Sequence, residues 1–209
     1  MNRIYGGVTL LYAALVLLLG ILPSVLLDGG EPMAQWVLDP AWGSLSVIAF
    51  LAAMLAPFVL IGLFIYQRPR SGKSGAVGLF LSVVGMLVYL GFQFVLAFVW
   101  PVLATENPAL LDFEGPMFRS PIFAFVHLWM GPLTSLGILT FGIATYRAKL
   151  FPRWSAVLFL MGFLLIQGIL FPPLVLRLIG SFPAAIALLV MGFGQMTRDV
   201  PESGGVRPR

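Results

Sequence analysis

The chain has no cysteine and one histidine among its 209 residues, and Asp, Glu, Lys and Arg together make up only 10% of it. Without cysteine there are no disulfides, thiolate metal sites or cysteine nucleophiles. A soluble domain carries roughly 25% charged residues, so so little charge argues against one. With 60% hydrophobic residues and a mean hydropathy of +1.02, the core must lie in lipid and against neighbouring helices, which makes the class polytopic membrane protein. The pI near 9.9 does not point to nucleic acid as a partner. The basic residues sit at the ends of apolar runs, where membrane topology accounts for them.

The scarce charges divide the chain. Uncharged stretches cover 4–27, 40–67, 74–105, 120–146, 154–176 and 178–197. About 20 residues at 1.5 Å each cross a hydrocarbon core of roughly 30 Å, and no strand-like alternation is visible. The expectation is an all-α membrane fold with six transmembrane helices at 4–27, 43–67, 75–101, 121–146, 154–176 and 181–197. These form one domain over 1–198, followed by a flexible tail over 199–209 that has nothing to bury. The first run is longer than a signal-peptide core and lacks a small-x-small site before Asp28, so it reads as a mature helix.

Residues 147–153 anchor the orientation. Arg147, Lys149 and Arg153 form a short basic turn between two uncharged runs. Arg3, Arg68, Arg70, Lys73, Arg198, Arg207 and Arg209 fall on the same side, with Asp199 and Glu202. Asp28, Glu31, Asp39, Glu106, Asp112 and Glu114 fall on the other, with Arg119 and Arg177. By the Lys/Arg rule both termini are cytoplasmic. Trp36, Trp42 and Trp100 are expected at the outer interface and Trp154 at the inner one. Pro101, Pro108 and Pro116 disfavour continuous helix in the outer segment 102–120. Pro172-Pro173 should end the fifth helix early. Ser181 and Pro183 read as the start of a short sixth helix.

A shift of 80 residues superimposes Gly62 on Gly142, Tyr66 on Tyr146, Lys73 on Arg153 and Ala76-Val77 on Ala156-Val157. This suggests repeated helical hairpins, although every cytoplasmic interface selects a similar aromatic-then-basic order. Pro57 and Pro132 are mid-helix kinks. Ala49/Ala53, Ala52/Ala56 and Gly78/Ser82 mark close helix contacts.

No Asp, Glu, Lys or Arg lies mid-membrane. That argues against proton-coupled transport and intramembrane proteolysis, and no catalytic residues are assigned. What remains is neutral. Counted from the cytoplasmic turns, Gln93 and His127 lie roughly 27–30 Å deep and Tyr89, Gln167 and Thr134 near 20 Å. They either hydrogen-bond to fix helix register or line an outward-facing pocket for a small molecule or lipid headgroup. His127 offers a single ring ligand to haem or chlorophyll, and no other cofactor or metal site is expected. Arg177 is an interfacial residue able to meet a lipid phosphate.

The run Phe151-Pro152-Arg153-Trp154, opening a Leu- and Gly-rich helix, resembles an element of several uncharacterised bacterial multi-spanning membrane families. The resemblance implies a prokaryotic plasma membrane and no known chemistry. The leading expectation is therefore a non-enzymatic accessory or binding subunit, packing against a membrane-protein partner or itself and contacting membrane lipids. The alternatives are a small permease or lipid-binding protein built on the polar residues above, and a tetrapyrrole carrier built on His127.

Overall fold

A computed structural model describes residues 2–26, 33–112, 115–167 and 174–197. The expected tail at 199–209, Pro172-Pro173, Asp28, Glu31 and Glu114 lie outside those residues, as do the side chains of His127 and Gln167. Among the described residues the fold is all-helical, 92% helix with no strand. In chain order it runs α1 (Asn2–Leu26), α2 (Met33–Leu38), α3 (Pro40–Phe94), a π-helical turn (Val95–Val99), α4 (Trp100–Glu106), a 3-10 turn (Pro108–Leu111), α5 (Pro121–Ala148), α6 (Arg153–Gln167) and α7 (Leu174–Thr197). Three stretches, Asn2–Pro23, Pro40–Glu106 and Val175–Thr197, are long and apolar enough to cross a membrane.

The middle stretch folds back on itself at Gly72. With φ 61° and ψ −161°, this residue occupies a backbone region that only glycine adopts without strain. The arms 40–71 and 73–94 then run antiparallel. Phe50 meets Phe94 at 6.1 Å and Phe98 at 5.5 Å, both edge-on, and Trp42 stacks on Trp100 at 6.2 Å.

The helices close around one core. α1 packs against α7 and α3, α7 against α6, α6 against α5, and α5 against α3. Leu60, Leu63, Phe141, Phe159, Leu188 and Met191 fill the centre and are fully buried. Leu11, Phe58, Phe80, Phe125 and Phe193 point outward. Such a surface is apolar on both sides of its helices, which suits lipid and not water.

Small residues set the closest approaches. Gly78 and Gly85 of α3 press on the backbones of Phe141 and Thr134 in α5, and Gly137 of α5 presses on Ser82. Gly6 and Gly192 do the same between α1 and α7, and Gly162 and Ala184 between α6 and α7. A buried hydrogen bond from Thr9 Oγ1 to Gln195 Oε1, 3.0 Å, ties α1 to α7.

Several boundaries differ from the sequence reading. Helix α7 starts at Leu174 instead of Ser181. Ser181 is interior, and its hydroxyl donates to its own helix at Leu178 O, 2.8 Å. The start signal of Ser181 and Pro183 is overridden because a buried serine can bond back to the preceding turn. The segment 102–120 is partly helical, since the π-helical turn before Pro101 absorbs its missing N–H and Pro108 lies in a first helical turn, where a proline forfeits no hydrogen bond. Gly62 and Gly142 are both buried, but Gly62 faces Tyr5 of α1 and Gly142 faces Leu160 of α6. Tyr66 is buried and stacks on Phe151, whereas Tyr146 is exposed.

Candidate functional site

The end of the bundle bearing Asp39 and Glu106 is closed by a second, separate aromatic cluster. Asp39 fixes its entry. Its Oδ1 accepts from the Ala41 N–H at 2.7 Å, and Pro40 occupies the first turn, an N-cap pattern. Trp42 is thereby held in the first turn of α3. On the other arm, Pro101 has no N–H to return to Ala97, so a regular turn would leave that carbonyl without its usual donor. The chain widens instead into the π-helical turn, and the Trp100 N–H donates to Val95 O. Such turns often occur at functional positions.

Trp100 becomes the centre of the cap, with 0% of its surface exposed. Trp42 stacks on it nearly parallel, at 4°, and Phe92 and Phe118 meet it edge-on at 6.2 and 6.1 Å. Leu111 is fully buried in the same cluster, and Val37, Met117, Phe123 and Met130 join it. Residues 108–112 and 115–118 are thus folded over the end of the bundle. This corrects the placement of Trp100 among lipid-headgroup aromatics: the apolar side chains of the outer segment bury it.

Hydrogen bonding in the cap is incomplete. The indole nitrogens of Trp42 and Trp100 are both buried with no acceptor among the described residues. Tyr89 packs against the cluster. Gln93, 7% exposed, donates from Nε2 to the Tyr89 hydroxyl at 2.5 Å. The phenol that accepts this bond keeps its own hydrogen to donate.

The expected residues separate into three groups. Gln93 and Tyr89 are brought together, one helical turn apart. Thr134 is buried, but its hydroxyl donates to Met130 O of its own helix at 2.7 Å and its backbone wedges against Gly85, so it serves packing. Arg177 is half-buried on α7, none of whose described side chains joins the cap cluster. His127 lies on α5 between Phe123 and Met130, both cap residues, and Gln167 closes α6.

Sequence reasoning missed two features. Trp42 and Trp100 looked like interface residues. The available signal was the apolar pairs Leu110-Leu111 and Met117-Phe118, which have no reason to sit in a solvated acidic loop. At the opposite end, Gln67 is fully buried with both amide atoms unpartnered among the described residues, beside an equally unpartnered Ser71 hydroxyl. Comparison of the chain with protein-family models, with curated proteins and with solved structures found no match.

Proposed function

We propose that the chain is a six-helix plasma-membrane protein with both termini cytoplasmic, and that it binds a small neutral amphipathic molecule at its outward-facing end. The antiparallel arms of α3 about Gly72, the 28 residues of α5 and the Lys/Arg bias support the threading. Orientation is testable because the chain has no cysteine of its own. A membrane-impermeant maleimide added to intact cells is expected to label Glu106→Cys, and to label Ser74→Cys only after lysis. The opposite pattern refutes the orientation.

The observation behind the binding reading is the pair of stacked indoles whose buried N–H groups lack acceptors among the described residues, next to Gln93 and Tyr89. Leaving one buried donor unpaired costs about 1–3 kcal/mol. A ligand with ester, amide or ketone oxygens accepts from both indoles, and its apolar part replaces the cap's aromatic contacts. Among the described residues the side chains packed into the aromatic cluster itself are uncharged, which favours a neutral head. Both indole nitrogens are buried, so entry requires the residues packed over them, Leu111 and Phe118 among them, to move aside.

Native mass spectrometry of gently extracted protein is expected to show a stoichiometric small neutral adduct. Gln93→Leu, which breaks the pair with Tyr89, should reduce its occupancy about tenfold, as loss of one buried polar contact does. Thr105→Ala, on the exposed face of α4, should leave it unchanged. A co-purifying protein with no adduct instead selects the accessory-subunit reading. A pigment mass with a visible band selects a tetrapyrrole on His127.

A further inference from the structure

At the basic end of the bundle a groove of about 290 Å³ opens between the 147–153 turn and the end of α7. Phe151, Pro152, Val190, Phe193, Gly194 and Thr197 line it. Its walls are fixed by the fold. Lys149 takes a left-handed conformation, φ 55°, which ends α5 and turns the chain. Phe151 is then buried and stacked on Tyr66 at 5.2 Å. Gly194 leaves the floor open, since a Cβ there would come within 3.2 Å of the Phe151 ring. Phe193 is more than half exposed and turns outward.

The same turn that supplies the apolar wall carries the charge. Lys149 and Arg153 flank Leu150, Phe151 and Pro152, and both are exposed, as is Arg147. The Arg153 guanidinium lies over the Tyr146 ring at 5.4 Å, which holds it at the surface. No Asp or Glu occurs anywhere in 115–197, so α5, α6 and α7 offer these cations no internal partner. An apolar groove beside basic side chains that have no acidic partner among the described residues of α5, α6 and α7 matches one occupant, a lipid whose chain is apolar and whose head is an anion.

We propose that this groove binds an anionic phospholipid, with part of an acyl chain along Val190 and Phe193 and the phosphate at Lys149 and Arg153. This rests on the membrane-spanning reading but not on the ligand of the cap. A zwitterionic lipid fits the groove equally but brings its own cation to the basic rim.

The full-length protein is reconstituted in phosphatidylcholine vesicles with or without phosphatidylglycerol, and retained lipid is read by native mass spectrometry. Phosphatidylglycerol is expected to be retained over phosphatidylcholine by about thirtyfold, the scale set by two basic contacts at a membrane surface. Lys149→Gln/Arg153→Gln should bring the ratio close to parity. Arg68→Gln/Arg70→Gln removes the same charge from the other basic turn and should leave the ratio unchanged. No preference in the wild type, or an undiminished one in Lys149→Gln/Arg153→Gln, overturns the site. Equal loss in both double variants also overturns it, because that is the result of diffuse surface charge. The neutral adduct of the cap should persist in Lys149→Gln/Arg153→Gln, which separates failure of this site from failure of the other.

Discussion

Replacing Gly78 or Gly85 with alanine is expected to destabilise the protein by about 1–3 kcal/mol each, the usual range for overpacking. Helix propensity alone predicts the opposite sign, since alanine is favoured over glycine by about 0.8–1.0 kcal/mol inside a helix. The contacts decide. A Cβ at Gly78 would meet the Phe141 backbone, with its Cα at 2.7 Å, and one at Gly85 would meet the Thr134 backbone N and Cα at 2.8 and 2.9 Å. Backbone atoms of a neighbouring helix cannot rotate aside as a side chain does, so α3 and α5 must separate. That separation also loses the contacts along the rest of the seam, including Gly137 against Ser82. Gly91, on the same arm of α3, has nothing within 4 Å of its would-be Cβ. Gly91→Ala should therefore be neutral or stabilising by up to about 1 kcal/mol. Unfolding in mixed detergent micelles, followed by tryptophan fluorescence, distinguishes the two. Equal effects at Gly78 and Gly91 would show that the seam is not close-packed.

That contrast also shows which features could be read from sequence. Gly78 and Ser82 stand out as a small-residue motif, and both do lie in the α3–α5 seam. The all-helical class follows from uncharged runs too long for strands. The hairpin at Gly72 is implied by Arg68, Arg70 and Lys73 interrupting an apolar stretch. The pairing of Gln93 with Tyr89 was reachable from their four-residue spacing, which puts both on one helix face. The depth estimate that grouped Thr134 with them was blind to rotation about the helix axis, and Thr134 bonds to its own helix instead. Trp100 was misplaced for a similar reason. Composition says that a tryptophan at a helix end suits an interface, but burial depends on what folds over it, and the residues that do so, Leu111 and Phe118, come later in the chain. Gln67 shows the same limit at the other end.

Trp100 separates the structural role of the cap from its proposed chemistry, and the two substitutions there should diverge. Trp100→Ala removes the ring that Trp42, Phe92 and Phe118 all contact, and truncating a large buried aromatic costs about 3–5 kcal/mol. Trp100→Phe keeps an aromatic ring but deletes the indole N–H. The smaller ring loses some packing, but the protein no longer buries a donor without an acceptor, a relief of about 1–3 kcal/mol. The two terms oppose, so the ligand-free Trp100→Phe protein should unfold within about 1 kcal/mol of the wild type. Ligand binding should respond in the opposite sense. The bound state of the wild type pairs that N–H, so a neutral ligand should raise the unfolding midpoint of the wild type by linkage, and Trp100→Phe should lose most of that rise. Melting curves of both proteins with and without the adduct recovered from the wild type provide the measurement. A Trp100→Phe protein as unstable as Trp100→Ala would mean that the N–H has a partner in the ligand-free protein. If Trp100→Phe keeps both its stability and the full ligand-induced shift, the cap is a packing element and the ligand binds elsewhere.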